Sequence, residues 1–415
     1  MPESSPTIAS TLGGVKQQLE AAIHTLESPQ IALALQEHLH NPDSLPNAPL
    51  TQLSAEVVDT AERLQHLLIP SVSLLADGFF GYLLTKALWT AVDANVPDML
   101  QQHGPLDAHE LGSRCNVQPV RLSQVLDMLV KFGLLEYNIV TRQYSNNRAS
   151  ALLTHDHWTQ WHRWSDLYGT DFFDASRAMP QAIKAGESLS AAQIEYGTNL
   201  SLFEFFSEQG RIEKFHATLG AGALAQGPGL AIDYPWGEIG TETLVDLGAG
   251  SGAFLASILR AHPALSGRYF DLQHAVDMAR PKFLEVGGEF SDVGDRIVGL
   301  EAGDFLTAVP SASVYTMKWC LHDWLDENVI RVFKNIRASM LPGPHSRLIV
   351  LEGVKQPGRS SRIPNYGDLV MMITANGKER SVQEWTSLAK IGGWKLHHIY
   401  PIRRAWLSAI ELRPA

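Results

Sequence analysis

The chain of 415 residues contains only two cysteines, Cys115 and Cys320. They lie far apart in unlike surroundings, which argues against a disulfide framework or a thiolate zinc cluster and predicts a reducing compartment. Positive charge is also short. The 33 Lys and Arg are outnumbered by 44 Asp and Glu, for a formal net charge of −11, and the cations are scattered among the acids. No basic face is available to neutralise a nucleic-acid backbone or an anionic membrane, so neither is expected as a partner. A long unbroken apolar run is missing as well. The most apolar window, residues 67–89, is interrupted by Pro70, Asp77 and Lys86. The opening "MPESSPTIASTLGG" has neither the basic flank nor the apolar stretch of a secretion signal, so a soluble, cytoplasmic protein is expected.

What is present is enough apolar material, 45% of residues, to build one large or two ordinary cores. Three regions follow from the patterning. Residues 1–65 read as an accessory helical segment, with Leu, Ile, Val and Ala spaced at three and four and a break at "HNPDSLPNAP". Residues 66–235 read as a second helical region. Within it, "LDAHELGSRCNVQPVRLSQVLDMLVKFGLLEYN" reads as helix, turn, helix, strand, with Asp107 as N-cap and Pro119 opening the second helix, a winged-helix pattern. Arg114, Arg121 and Lys131 are its only cations, which favours a structural or dimerising role over DNA binding. Downstream, "HDHWTQWHRW" holds His155, His157 and His162, but no acid or thiol stands at ligand spacing and no metal is expected. Trp158, Trp161 and Trp164 read as one packed helix face, with a histidine such as His157 free to face a substrate.

After a Gly/Pro-rich connector at 225–240 the pattern changes, and residues 236–415 read as an α/β domain. Short apolar runs at 243–248, 268–272, 296–305, 313–319 and 347–354 alternate with amphipathic helical stretches, which implies a Rossmann-like parallel sheet. The last residues lack a helix between their strands and read as a closing antiparallel hairpin. Ligands of such sheets sit at the carboxyl ends of the strands. The first run ends in Asp246 and the turn "GAGSG", where Gly248, Gly250 and Gly252 let a ligand approach the backbone. The second ends in Asp271, suited to a ribose diol. The third leads to "GDF", in which Asp304 can hold an adenine amino group and Phe305 can cover the ring. The glycine turn alone also fits a dinucleotide fingerprint. However, it carries no Lys or Arg for a pyrophosphate, and Asp246 suits an amino group, so S-adenosylmethionine is favoured over NAD.

Together "LVDLGAGSG", "FDLQHAV", "GDF", "MKWCLHDW" and "NGKERSVQEWTSLAKIGGW" occur in an order that resembles the class I S-adenosylmethionine-dependent O-methyltransferases of the plant caffeate type and their fungal relatives. The resemblance spans nearly all of residues 70–415. It implies that Gly248, Asp271, Asp304, Phe305 and Lys318 contact the cofactor and that His322 is a general base flanked by Glu352 and Glu379. It also implies a homodimer formed through the helical region. Trp324 is expected to project toward the ligands. Met371 and Ala375, on one helical face, are expected to line a largely apolar acceptor pocket. The expected function is methylation of a hydroxyl on a small aromatic or polyketide-type secondary metabolite. The alternative, also found among fungal members of the family, is a methyltransferase-like pericyclase or dehydratase that holds the cofactor without spending its methyl, with Lys318 or His157 acting on a carbonyl.

Overall fold

The computed structural model describes residues 7–359 and 361–415. The chain divides into two compact units, Met1–Val58 and Asp59–Ala415. In the first, helix α1 (Ile8–Glu27) starts where the Thr7 hydroxyl accepts the Ser10 N–H and stops at Ser28, and α2 (Pro29–Leu35) follows with Pro29 in its first turn. The division falls inside α3 (Ala48–Leu68). Among the described residues no single helix is long and apolar enough to cross a membrane.

The second unit begins with α4 (Ser71–Asp93) and α5 (Val96–His103), followed by α6 (Ala108–Arg114), α7 (Pro119–Lys131) and the hairpin β1 (Glu136–Asn138) and β2 (Gln143–Ser145). Asp107 and Glu110 close a capping box on α6, and Pro119 stands in the first turn of α7, so the two helices start where those residues direct. Leu111, Leu122, Leu126 and Tyr144 form the small core that joins helices and hairpin. The aromatic stretch departs from expectation. Helix α8 (His162–Gly169) begins only after Gln160, whose φ of 50° cannot continue a helix, so Trp158 and Trp161 stand before it rather than on one face with Trp164. The short helices α9 (Asp171–Ala175), α10 (Met179–Ala182), α11 (Ala191–Tyr196) and α12 (Leu202–Glu208) follow.

The expected connector at 225–240 is a second correction. Helix α13 (Ile212–Asp233) runs through Gly227, Pro228 and Gly229. Two of its glycines make room for contact: a side chain at Gly222 would strike Trp164 and one at Gly229 would strike the Arg403 carbonyl oxygen. Tertiary packing therefore overrides the weak helix propensity of Gly and Pro.

The sheet is built from β3 (Thr243–Leu247), α14 (Ala253–Ala261), β4 (Ser266–Asp271), α15 (Gln273–Leu284), β5 (Ile297–Ala302), β6 (Val314–Lys318), α16 (Asp326–Ser339) and β7 (Arg347–Glu352). A small parallel pair, β8 (Val354–Lys355) and β9 (Arg380–Ser381), flanks α17 (Ile363–Ala375). Then come α18 (Val382–Ile391), β10 (Trp394–Pro401) and β11 (Ser408–Pro414). The seven-stranded order is β10, β11, β7, β6, β3, β4, β5, parallel from β7 to β5 and closed by the antiparallel hairpin. Alternate strand residues serve opposite faces. Leu244, Tyr269, Val314 and Ile349 pack toward α14 and α15, whereas Val245, Phe270, Tyr315 and Leu348 pack toward α16 and α18. The chain leaves β3 toward β4 and β5, then returns to β6 on the other side. The crevice for a ligand therefore lies where β3 and β6 end side by side.

Candidate active site

Strand β3 delivers Asp246 within the sheet, 2% exposed, where the Thr316 hydroxyl of β6 donates to its Oδ1 at 2.9 Å. Burial pushes its carboxyl up to about 7, against the pull of Thr316 and of the Lys318 charge. The glycine turn follows with φ of 69° at Gly248 and 54° at Gly250, conformations closed to most side chains. A side chain at Gly248 would lie 2.6 Å from Cys320 Sγ, whereas nothing stands within 4 Å of one at Gly250. The turn is thus packed on one side and open on the other. Asp271, half-buried at the end of β4, braces it by accepting the Gly250 N–H at 2.7 Å, and accepts the Leu272 N–H through its other oxygen.

Asp304 is exposed, and its carboxylate accepts from Leu306 N at 2.8 Å, a bond within its own turn. Phe305 is half-buried beside the glycine turn, its ring perpendicular to that of Trp324 at 6.3 Å. Lys318 closes β6, with Nζ 4.2 Å from the Trp319 ring. Burial lowers its pKa, while Asp246, Cys320 and Glu352 hold it up.

The strand then breaks sharply at Trp319, φ 52°. Glu352, the last residue of β7 and fully buried, holds this break by accepting the N–H groups of Cys320 and Leu321, each at 2.9 Å, on one oxygen. Its other oxygen lies 3.3 Å from His322 Nδ1. Glu379 reaches the same nitrogen at 2.8 Å. Three residues distant in sequence therefore meet at one ring, and Nε2, 3.8 Å from Asp323, is the nitrogen left for another partner. Room for Glu379 comes from glycine: a side chain at Gly353 would lie 2.9 Å from its carboxylate.

Arg380, which was not foreseen from the sequence, clamps the opposite side of the His322 turn. Its guanidinium is fully buried and donates to the Leu321 and Trp324 carbonyls at 3.1 and 2.6 Å and to Asp326 at 2.9 Å. The available signal was "ER" in "NGKERS", an arginine directly after a site acid.

The protonation of this cluster differs from the neutral imidazole that a general base at pH 7 suggests. Burial works to lower the pKa of His322, but the Glu352 charge, the Glu379 hydrogen bond and the Asp323 charge outweigh it and raise it to about 10. Burial, helped by neighbouring Glu379 and opposed by His322, pushes Glu352 up to about 7. One oxygen on each glutamate has no hydrogen-bond partner among the described residues. The cluster therefore has a strong affinity for protons and a defined place to keep them.

An aromatic wall stands beside the strand ends. Trp164 lies 6.0 Å from Trp319 and 4.9 Å from Trp406, with Tyr168 stacked on it at 5.8 Å and Phe172 edge-on to Tyr168 at 5.2 Å. Burial and the Glu379 charge both raise the pKa of Tyr168. Met371 and Ala375 are half-buried on α17, which packs beside the 321–323 turn. Of the three histidines upstream, His157 bonds Thr159 at 2.7 Å and stacks on Trp158, while His155 and His162 line a separate polar cavity with Asp93, Asp166 and Lys214.

Residues 238–395 match the O-methyltransferase domain family, and residues 76–156 match the O-methyltransferase dimerisation domain. Over 407 residues the chain is 53% identical to the O-methyltransferase gliM of Aspergillus fumigatus, covering 98% of this chain and 94% of that one. The chain belongs to the O-methyltransferase family. A second fungal relative, the O-methyltransferase verK of Clonostachys rogersoniana, is 46% identical over 396 residues, 95% of this chain and 97% of its own. Among solved structures, CalO1, a methyltransferase of calicheamicin biosynthesis with S-adenosylhomocysteine bound, superposes with a TM-score of 0.72 at 26% identity, covering 83% of this chain and 98% of that one. This O-methyltransferase uses S-adenosylmethionine. Its own residues fit that cofactor: Gly250 leaves open space over the backbone, and the Asp271 carboxylate stands next to it as an acceptor.

Proposed function

We propose that this O-methyltransferase methylates a hydroxyl of a small aromatic or polyketide-type secondary metabolite, with His322 as general base. The observation that carries the reading is the placement of His322 at the end of β6, with Nδ1 held by Glu379 at 2.8 Å and faced by Glu352 at 3.3 Å. S-adenosylmethionine supplies a methyl group activated by a sulfonium. With Nδ1 committed to the carboxylates, Nε2 would take the acceptor's hydroxyl proton as its oxygen gains the methyl that the sulfonium releases, leaving the thioether. Glu379 and Glu352 then stabilise the imidazolium and keep its ring oriented, as an orienting carboxylate does in a catalytic triad. At neutral pH the carboxylates favour a charged His322, and a cation bound at the same strand edge lowers the ring's proton affinity. Cofactor binding is thereby coupled to readiness of the base.

We assign cofactor contact to Asp246, Gly248, Gly250, Asp271, Asp304, Phe305, Lys318 and Trp324. Acceptor contact we assign to Met371, Ala375 and the wall of Trp164 and Tyr168, whose flat apolar faces suit an aromatic ring. His157, as placed, is engaged by its own turn, and we leave it out of this set. A homodimer is part of the proposal, supported by the dimerisation-domain match and by Phe79, Phe80 and Tyr82 of α4, all of which are exposed.

The test is mass spectrometry of purified protein incubated with S-adenosylmethionine and a panel of phenols and polyketides. The expected result is a product heavier by one methyl with equimolar S-adenosylhomocysteine. Loss of water or isomerisation with the cofactor unspent would replace this reading with the pericyclase one.

A further inference from the structure

Helix α13 is apolar over its second half except for Gln226 and the terminal Asp233, which pairs with Arg403. Gln226 is 1% exposed, and neither its Nε2 nor its Oε1 has a hydrogen-bond partner among the described residues. An amide buried with both ends unsatisfied costs stability, so it calls for a partner. A second orphan stands beside it. Trp164, 7% exposed, has no partner for Nε1–H, and a side chain at Gly222 would lie 3.4 Å from that nitrogen. Gly222 and Gln226 are four residues apart and so share one face of α13. The orphan indole N–H and the orphan amide are therefore neighbours along that face.

Two contacts on the adjoining face of α13 show which way the helix runs. His262 Nε2 meets the Ala231 carbonyl oxygen at 2.8 Å, and Gly227 lies against Ser257 Cβ, 3.9 Å from where a side chain would start. Both sequence numbers rise together, so α13 runs parallel to α14. One turn earlier, residues 222 and 223 come level with Ala253, where the glycine turn enters α14. Trp164 also touches Trp319, the residue after Lys318 at the neighbouring strand end. Trp164 thus stands beside the strand end that carries Lys318, and Gln226 follows it one turn along α13.

We infer that Trp164 and Gln226 recognise the amino-acid tail of S-adenosylmethionine. The inference rests on the cofactor assignment above. The donor and acceptor inventory matches: a carboxylate needs N–H donors, which Trp164 Nε1 and Gln226 Nε2 provide, and an ammonium needs an acceptor, which Gln226 Oε1 provides. The polar groups of the adenosine moiety are already assigned above to Asp271 and Asp304, which leaves the amino-acid tail without partners.

The experiment compares two ligands by calorimetry, S-adenosylhomocysteine and 5′-methylthioadenosine, which shares the nucleoside but lacks the amino-acid tail. The variants are Gln226→Leu, which keeps the volume, and Trp164→Phe, which keeps a ring but removes the N–H. The expected result is an affinity for S-adenosylhomocysteine reduced about tenfold or more in each variant, as for hydrogen bonds to charged groups. The affinity for 5′-methylthioadenosine should stay within about twofold of wild type. Gln226→Leu should also melt higher than wild type without ligand, because it removes an unsatisfied buried amide. Parallel loss for both ligands, or no loss for either, would overturn the assignment. Should Gln226→Leu not fold, Gln226→Met gives the same comparison with a more adaptable chain. Failure of wild-type protein to bind either ligand would instead strike the cofactor assignment itself.

Discussion

Strand β7 begins at Arg347 and ends at Glu352, both buried, and each end anchors a charged cluster of opposite character. At the start, Arg347 bonds Glu411 and Glu238, each at 3.3 Å, and Tyr234 donates to Glu411 at 2.6 Å, with Arg413 on the other Glu411 oxygen. Arg347, Glu411 and Tyr234 leave no buried polar atom without a partner among the described residues. At the far end, two buried carboxylates share one imidazole, and an oxygen of each is left over. A buried cluster that balances its charge and satisfies its atoms ties elements together. In this protein the satisfied cluster fixes the closing hairpin to the sheet. The unsatisfied one stores proton affinity at the ligand edge, the kind of perturbation expected where chemistry is done.

The two ends should therefore fail differently when broken. The largest effect is expected for His322→Gln, which should lower kcat by about 10²–10⁴ in a methyl-transfer assay, the range for losing a positioned acid or base. Its thermal unfolding should change little, because Glu352 already sits near neutrality and can take up a proton in place of the ring. Next in size, Glu411→Ala removes the only buried carboxylate that faces Arg347 among the described residues, leaving it to the half-exposed Glu238, and should cost roughly 3–5 kcal/mol in denaturant unfolding, with kcat per folded molecule retained. Loss of kcat in step with stability would erase the distinction between the two ends. A smaller effect is expected for Asp271→Ala. Removing the acceptor that also braces Gly250 should weaken S-adenosylhomocysteine about tenfold by calorimetry, with little change in unfolding.

The same contrast separates what was legible in the sequence from what was not. Strands β3 to β7 and the closing hairpin were legible because each is a short apolar run whose alternate residues meet opposite layers, and the α/β fold with its helical leader follows from them. His322, Glu352 and Glu379 were named through family resemblance. Their meeting at one nitrogen is a property of three separate strand ends that no local pattern contains. Helix α13 was hidden because Gly227, Pro228 and Gly229 read as a linker, and the close approach of the Arg403 backbone, which explains the glycine at 229, is not visible in the local pattern. Trp161 was misplaced because a single residue, Gln160, turns left-handed without the glycine that would signal it. Arg380 was signalled only by its place directly after Glu379, and Gln226 carries no sequence signal beyond being polar, since the importance of both lies in burial. The charge state of His322 was likewise out of reach, because it depends on which carboxylates are packed against the ring.

The most direct test of the account is the pH dependence of kcat/KM for wild type and Glu379→Gln. His322 must be neutral to accept a proton, and the carboxylates raise its pKa, so activity in the free enzyme falls as pH drops through that raised value. Replacing one carboxylate by a neutral amide removes part of what holds the proton on the ring. The acidic limb should therefore move to lower pH by about one unit or more. A limb that stays in place, or moves to higher pH, would contradict the claim that these glutamates set the proton affinity of His322, the proposed base.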